Sequence, residues 1–483
     1  MVQQSASVRS IPRLLLAILG VAWILRVVIV LRGGQLFFPD EMLYRSSQDI
    51  AFKMAGGHLG GALASLLSSY RHIGFVIVGV VPAALQGLLK LTLDVPLSQS
   101  LWVPSLLLSL ASVASIALVY AIARRSGAPV AEALLAAGLL ATATSNFYWA
   151  RHFMPYDLAL ALALCSLWVG LVRTPSLARS FAVGLLAGGA FLVYNGYWMV
   201  AAAALVVHVL YGQRRPSALA GRMLAAGLGL AMLPLALTFV SIAAHAKLNY
   251  IQGLIRFSAS ISQGDFSEGW KLPWLYLWDA ERAMSLVWLG GGVAAVYFFV
   301  RRRKEAHWHA LLWLSMAVGL YVLLALLSTV MHQFVVYGRL VRQLVPFICL
   351  AAACGYTQLF QAWSPRRAIV VSAAVALVLL AALNFLQPIR QAWPIDIIRS
   401  AVVTYGDVSR EMAIAGPQPG PRLLVEDMLE MPPPAPEPTR YVLVNVDYFY
   451  PLEGPRAVSA GISNQPVTRT WYRAAAFRMP WRC

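Results

Sequence analysis

Long apolar stretches separated by short polar segments run along most of the chain, and they predict eleven membrane-spanning helices. A spanning helix needs about 20 predominantly apolar residues. The stretch 180–212 is divided at Asn195-Gly196, a pair typical of a turn, and is therefore counted as two short spans. The predicted spans are 14–31, 101–123, 130–147, 157–172, 180–195, 196–212, 219–245, 281–300, 307–329, 339–362 and 366–387.

The basic loops predict the orientation of these spans. Arginines and lysines lie before the first span and in the alternate loops, at 9, 13, 124–125, 173, 179, 214–215, 222, 301–304 and 366–367. Loops rich in Lys and Arg favour the cytoplasmic side, so the loop 32–100 and the end of the chain after 388 are predicted to face outwards.

The segment 71–91 is apolar enough to be a further span, but it contains Pro82. Counting it as a span would place Arg124 and Arg125 outside, against the charge bias. We therefore predict a juxtamembrane or half-inserted helix on the outer face, broken near Pro82. A total of twelve or thirteen spans is the alternative.

Composition agrees with a polytopic membrane protein. Of the 483 residues, 59% are hydrophobic and only 12% are charged, and the mean hydropathy is +0.68. A soluble protein carries about 25% charged residues, and a disordered chain is poor in hydrophobic ones, so both classes are excluded. The net charge of +18 fits cytoplasmic loops and not nucleic-acid binding. The four cysteines predict neither a disulfide framework nor a cysteine metal site.

The composition changes after residue 388. A proline-rich segment at 432–438 is typical of a linker, and 440–450 alternates like a strand. We predict two domains: a transmembrane domain, 1–388, and a small extracytoplasmic domain, 389–483, whose pattern is consistent with an α/β fold. The predicted fold class is all-α and polytopic, with juxtamembrane helices on the outer face.

The first candidate motif follows the first span and contains Asp40-Glu41, with Tyr44 and Arg45 after it. Acidic residues are scarce, at 20 in the whole chain, so two adjacent carboxylates at a membrane face are notable. A carboxylate there could accept a proton from an incoming hydroxyl or amine, as a general base does. The alternative is a helix N-terminus with Asp40 as its cap.

The second motif, 148–157, places Arg151 and Asp157 at the outer ends of two consecutive spans. The pair could bind phosphate and metal, or each other. The alternative is an interfacial belt of Trp and Tyr with an arginine that reaches the head groups.

The third motif, 337–347, brings Arg339 and Arg342 into a span from the outward side. Positive charge on that side runs against the usual bias, and binding of a lipid-linked phosphate would explain it, since arginine presents a fork of donors. Ordinary head-group contact is the alternative. The same argument covers Arg256 and the pair Arg71-His72.

In order and spacing, the three motifs resemble those of the GT-C membrane glycosyltransferases over about residues 14–362. The similar branch holds the protein O-mannosyltransferases, the aminoarabinose transferases of lipid A and the RgtA/B/C/D-like enzymes. Their Asp-Glu-Tyr loop is matched by Asp40, Glu41 and Tyr44, and their later motifs by Arg151 with Asp157 and by 339–346. Where the family often has a lysine at the start of the helix placed at 71–91, this chain has Arg71-His72.

The resemblance implies a GT-C bundle that transfers a sugar from a polyprenyl phosphate with inversion. Asp40 would be the general base, with Glu41 as a second catalytic residue. A divalent metal is allowed but not required, with Glu41 and Asp157 as candidate ligands, and no other cofactor is assigned. The implied donor-phosphate ligands are Arg71, His72, Arg256, Arg339 and Arg342, and the supporting residues are Tyr44, Arg45, Arg151, Asp157, His332 and Tyr337.

The resemblance also implies partners and a location. The partners are a polyprenyl-phosphate sugar, a lipid, glycan or protein acceptor, and membrane lipids, with no nucleic acid. The location is a bacterial plasma (inner) membrane, with the site facing the periplasm or exterior. A membrane transporter or lipid flippase is the alternative function, since intramembrane ionisable residues mark transport pathways. A scaffold protein would not need these polar clusters.

Overall fold

Helices are the regular elements of the chain wherever the structure describes it. The computed structural model describes residues 12–31, 41, 43–95, 100–212, 215–261, 270–281, 283–301, 308–330 and 338–362. Seven helices within these ranges are long and apolar enough to cross a membrane. The prediction of an all-α polytopic membrane protein is therefore confirmed. The predicted span 366–387 and the predicted domain 389–483 lie outside the described residues.

A helix occupies every predicted span between 14 and 362. The first half contains α1 (Arg13–Leu31), α2 (Leu43–Ala55), α3 (Leu59–Ser68), α4 (Ile73–Leu93), α5 (Trp102–Ser126), α6 (Val130–Thr142), α7 (Thr144–Phe147), α8 (Tyr156–Gly170) and α9 (Leu177–Val193). The second half contains α10 (Trp198–Leu210), α11 (Pro216–Ala243), α12 (Tyr250–Ile261), α13 (Leu272–Glu281), α14 (Ala283–Arg301), α15 (Trp308–Ala325), α16 (Gly338–Val341) and α17 (Val345–Ala362). The predicted turn at Asn195-Gly196 is confirmed as a short 3-10 turn between α9 and α10.

The two ends of the helix bundle can be distinguished by contacts between helices. Arg125 donates to the carbonyl of Trp168 at 2.9 Å, so α5 and α8 finish side by side. Their beginnings lie at the opposite end, where the Tyr156 and Tyr194 rings, 4.8 Å apart, join α8 to the α9–α10 turn. We call this the outer end, after the predicted orientation, and the other the basic-loop end.

Helix α4 lies along the outer end. The backbone N–H of Asn195 donates to Nδ1 of His72 at its start, at 3.4 Å. In its second half, Nε2 of Gln86 donates to Oγ of Ser100, just before α5, at 3.0 Å. Both partners belong to connections at the outer end. This geometry favours the predicted juxtamembrane placement, although the 21-residue helix is long enough to span.

The predicted break near Pro82 is wrong, because α4 is continuous from Ile73 to Leu93 with the buried proline inside it. A proline removes one backbone hydrogen bond from a helix, but contacts to α2 hold the turns on either side. Ser47 donates to the carbonyl of Val76 at 2.9 Å, and the Tyr44 hydroxyl donates to Gln86 at 2.8 Å.

The core of the bundle is built around α17, the most enclosed of the candidate spans, which packs against α14, α6 and α15. Helix α11 is the least enclosed and packs mainly on α9 through glycines. A Cβ on Gly184 would lie 1.9 Å from the carbonyl oxygen of Ala226, and one on Gly229 would lie 2.1 Å from that of Phe181. Small residues let membrane helices approach this closely, which strengthens their van der Waals contact.

Candidate active site

The Glu41 side chain joins the first motif to the second. Its carboxylate is buried and lies at the outer end, just before α2. Oε1 accepts the backbone N–H of Phe153 at 3.2 Å, and Oε2 lies 3.2 Å from Nδ1 of the buried His152. An ionised carboxylate can only accept, so this contact requires the tautomer of His152 with a hydrogen on Nδ1. Asp40 lies outside the described residues.

Asp157 and Arg342 join the second motif to the third. Asp157 lies in the first turn of α8, where the helix dipole favours a negative charge. Its Oδ1 forms an ion pair with a guanidinium nitrogen of Arg342, in the 3-10 turn before α17. Both side chains are buried, so each charge is compensated mainly by protein groups.

Arg26 extends this polar cluster towards the bundle interior, and the sequence analysis did not identify it as a site residue. It is fully buried in α1 and interacts electrostatically with Asp157 and Arg342. Its guanidinium donates to Ser112 Oγ at 2.9 Å, to the Ala22 carbonyl at 2.9 Å and to the Asn146 carbonyl at 3.4 Å. An arginine within a predicted span was the one available signal, since such residues are rarely without a partner.

Glu281 is a second residue that the sequence analysis missed. Its two carboxylate oxygens accept the backbone N–H groups of Thr144 and Ser145, at 2.8 and 2.7 Å. These groups begin α7, where a helix leaves amides without intrahelical partners. Glu281 therefore fixes the connection that leads from α6 into the second motif.

Aromatic rings link these charged groups to the segment before α4. Ring centroids are 5.3 Å apart for Trp149 and Tyr156, 4.8 Å for Tyr156 and Tyr194, and 4.8 Å for Tyr194 and His72. His72 has a left-handed backbone with φ of 55° and is buried. A non-glycine residue in that conformation is strained and needs support from its surroundings.

Two predicted phosphate ligands, Arg71 and Arg256, are exposed near the start of α4. The Arg71 guanidinium lies over the Phe257 ring, 5.1 Å from its centroid. Arg256 precedes Phe257 in α12 and is exposed. Gly253 lets α12 approach this segment, since a Cβ there would lie 2.7 Å from the Tyr70 ring. Both cations are therefore exposed, and α12 packs against the segment that contains Arg71.

The predicted supporting residues are only partly described. Tyr44 packs against Phe153 with ring centroids 4.9 Å apart, and burial raises the pKa of its hydroxyl. Arg45 is half-buried in α2. The structure describes the backbone of Arg151 and Arg339 but not their side chains. His332 and Tyr337 lie outside the described residues.

Comparison with known proteins gives structural likenesses only. No family model and no curated protein matches the sequence. The apo crystal structure of the Archaeoglobus fulgidus oligosaccharyltransferase is similar, with a TM-score of 0.49 and 13% identity over 88% of this chain and 61% of that chain. The oligosaccharyltransferase AglB of the same organism, with an inhibitory peptide and a dolichol-phosphate, gives a TM-score of 0.43 and 14% identity over the same shares. This chain thus spans about three-fifths of those proteins, and likenesses at this level assign it no activity.

Proposed function

We propose that this chain is a membrane glycosyltransferase that moves a sugar from a polyprenyl-phosphate donor to an acceptor at the outer end, inverting the anomeric carbon. One observation carries the proposal: three motifs that lie far apart in the sequence contact one another. Glu41 reaches 152–153, and Asp157 reaches Arg342. Buried charges are costly, so such a cluster at one membrane face is typical of a reaction site.

The distribution of polar groups along α17 favours this proposal over transport. Arg342 lies just before the helix, and the following residues 345–353 are all apolar. Together they extend about 14 Å along the helix axis. A transport path needs polar groups through the bilayer, whereas a transferase needs them only at the face where donor and acceptor meet.

In the proposed reaction Asp40 is the general base. It takes the proton of the acceptor hydroxyl or amine as that atom attacks the anomeric carbon. The bond from that carbon to the phosphate oxygen breaks, and polyprenyl phosphate leaves with the bonding electrons. Glu41 is a positioning residue, because its buried contacts with His152 and Phe153 anchor the chain directly after Asp40.

The leaving phosphate is proposed to meet the exposed arginines. Negative charge grows on its bridging oxygen as the bond breaks, and guanidinium groups stabilise it more in the transition state than in the ground state. Arg71 and Arg256 are proposed for this role, because both are exposed and Arg71 lies over the ring of Phe257, the residue after Arg256. Arg339 remains a proposed ligand from its sequence position. Arg342, already paired with Asp157, is proposed to orient the site.

The proposed reaction includes no metal-bound step. The two candidate metal ligands each have another partner: Glu41 accepts from Phe153 and contacts His152, and Asp157 pairs with Arg342. A metal ion would have to displace these contacts before it could bind either carboxylate.

The test is to incubate the purified protein, in lipid nanodiscs, with a panel of polyprenyl-phosphate sugars and mixed acceptors, and to detect released polyprenyl phosphate by mass spectrometry. We expect release with at least one sugar, and Asp40→Asn should reduce it by about 10²–10⁴-fold. Arg71→Ala should reduce it by about 10–150-fold, the loss of one charge-assisted contact, with partial recovery in Arg71→Lys.

Asp94→Asn is the matched control, because Asp94 is an exposed aspartate in the same predicted outer loop, at the end of α4. It should retain wild-type release. Equal release by Asp40→Asn and Asp94→Asn would remove the base assignment but leave the transferase standing. No release from any donor, combined with movement of a labelled lipid across the bilayer, would replace the transferase with a flippase.

A further inference from the structure

A second cluster of ionisable side chains lies inside the bundle, away from the outer end. Glu132 is in the first turn of α6, His309 is the second residue of α15, and Cys354 lies within α17. All three are buried, with exposed fractions of 1%, 3% and 0%. Both α6 and α15 begin at the basic-loop end, so the cluster lies there.

The donor atoms of these side chains converge on one point. Nε2 of His309 lies 2.7 Å from Oε1 of Glu132 and 3.7 Å from Sγ of Cys354. One oxygen, one nitrogen and one sulfur thus lie within 4.8 Å of one another. Among the described residues, this is the group of His, Cys, Asp and Glu side chains that meets the geometric requirement for a metal ion.

The distances suit tetrahedral zinc. With Zn–N near 2.0–2.1 Å and Zn–S near 2.3 Å, bound nitrogen and sulfur atoms lie roughly 3.6 Å apart, close to the observed separation. Bound oxygen and nitrogen atoms lie roughly 3.3 Å apart, so the Glu132 carboxylate, now 2.7 Å from Nε2 of His309, would have to move away by about 0.6 Å. A mixed set of nitrogen, sulfur and oxygen ligands favours zinc over magnesium or calcium.

Gln358, one turn after Cys354, offers a fourth ligand. It is 5% exposed, and its Nε2 lies 3.0 Å from Sγ of Cys354. Its Oε1 is buried without a hydrogen-bond partner among the described residues. Amide oxygen and nitrogen are assigned from their surroundings, and rotating the amide by half a turn exchanges them, so that the oxygen faces Sγ of Cys354.

The charge of the cluster also suits a divalent cation. Ala295, Ala310 and Leu314 pack against Cys354, so the surroundings are apolar. A carboxylate and a thiolate together carry two negative charges, which a zinc ion would neutralise, and the thiol proton would leave to solvent on binding. Without a metal, the carboxylate relies on hydrogen bonding and the histidine.

We propose that Glu132, His309, Cys354 and Gln358 bind one zinc ion, which ties α6, α15 and α17 together at the basic-loop end. Such a site is structural, because its coordination is closed by protein ligands. The cysteines alone predict no metal site, because no pair of them has a plausible partner in the sequence. Here a single cysteine joins a histidine 45 residues before it and a glutamate 177 residues before that histidine.

The test is metal analysis of the full chain, produced with zinc in the medium and purified through a tag without histidine. We expect about one zinc per chain in the wild type, and its loss in Cys354→Ser and His309→Gln. Cys349→Ser is the matched control: Cys349 is also a buried cysteine of α17 but lies outside the cluster, so zinc should remain.

Cobalt substitution of the wild type keeps the test decisive if the variants do not fold. Cobalt bound by Cys354 should give a thiolate-to-cobalt charge-transfer band in the near ultraviolet, in the wild type and in Cys349→Ser alike. The proposal is overturned if the folded wild type contains no zinc and gives no such band. It is also overturned if folded Cys354→Ser retains the full zinc content.

Discussion

The buried ion pair between Asp157 and Arg342 allows a sharp quantitative prediction. Removing one partner of a buried pair leaves the other charge uncompensated and lowers the free energy of unfolding by about 3–5 kcal/mol. Arg26 interacts electrostatically with both partners, so the two single variants should differ. In Arg342→Met, Asp157 still has Arg26, and we expect a loss near the lower bound. In Asp157→Asn, two buried arginines lose the carboxylate with which both interact, and we expect a loss near the upper bound.

The double variant Asp157→Asn/Arg342→Met should recover most of this loss. It removes both charges, and Arg26 keeps its hydrogen bonds to Ser112 and the Ala22 carbonyl. Neighbouring residues in one network show coupling of about 0.5–3 kcal/mol, and the buried pair should lie at the upper end. Reversible unfolding in mixed detergent micelles, monitored by tryptophan fluorescence, would measure the free energy of unfolding of the wild type, the two single variants and the double variant.

A further arginine provides the control for this cycle. Arg222 is buried but donates to the carbonyls of Val209 and Tyr211 at the basic-loop end. Arg222→Met should therefore add to Asp157→Asn without coupling. Single losses below about 1 kcal/mol that simply add, as an exposed pair would give, would refute the reasoning about burial.

Three further predictions concern packing, orientation and pH. Gly184→Ala should lower the temperature at which the purified protein loses its fold, because the added Cβ clashes with α11, whereas Gly227→Ala, with open space around it, should not. A cysteine at the exposed position Leu59 should react with an impermeant maleimide on intact cells, and one at Leu177 only after permeabilisation; the reverse pattern would overturn the orientation. Hydrogen bonds from Lys53 and Ser65 lower the pKa of the Asp49 carboxyl. The stabilisation that Asp49 gives to the packing of α2 against α3 is therefore present at neutral pH, and it is lost as the pH falls through that lowered pKa. Hydrogen-exchange protection factors of α3 should follow this pH dependence in the wild type and not in Asp49→Asn.

The spans and the α9–α10 turn could be predicted because they depend on local sequence. An apolar stretch of sufficient length forms a helix in a membrane whatever its neighbours are, and Asn195-Gly196 marks the turn by its own chemistry. The continuity of α4 could not be predicted, because it depends on contacts from Tyr44 and Ser47 to the turns around Pro82.

The site was predictable as a set of residue types but not as a set of contacts. Glu41, Asp157 and Arg342 attract attention because charged residues are scarce at a membrane face. Their actual partners are a backbone amide and side chains far away in the sequence, and hydrophobic periodicity carries no information about such pairs. Arg26 and Glu281 were missed for the same reason, since each is explained only by groups on other helices.

The contacts of Glu281 set an order for the biogenesis of the bundle. The amide of Thr144 is made long before its acceptor, which lies 137 residues further along the chain. At about 5–20 residues per second, synthesis leaves a delay of roughly 7–27 s. Asp157 has a longer interval, because Arg342 lies 185 residues downstream. Until then, water or the insertion machinery must supply partners for the polar groups at the outer end of the early helices. These groups reach their native partners only after most of the chain has left the ribosome.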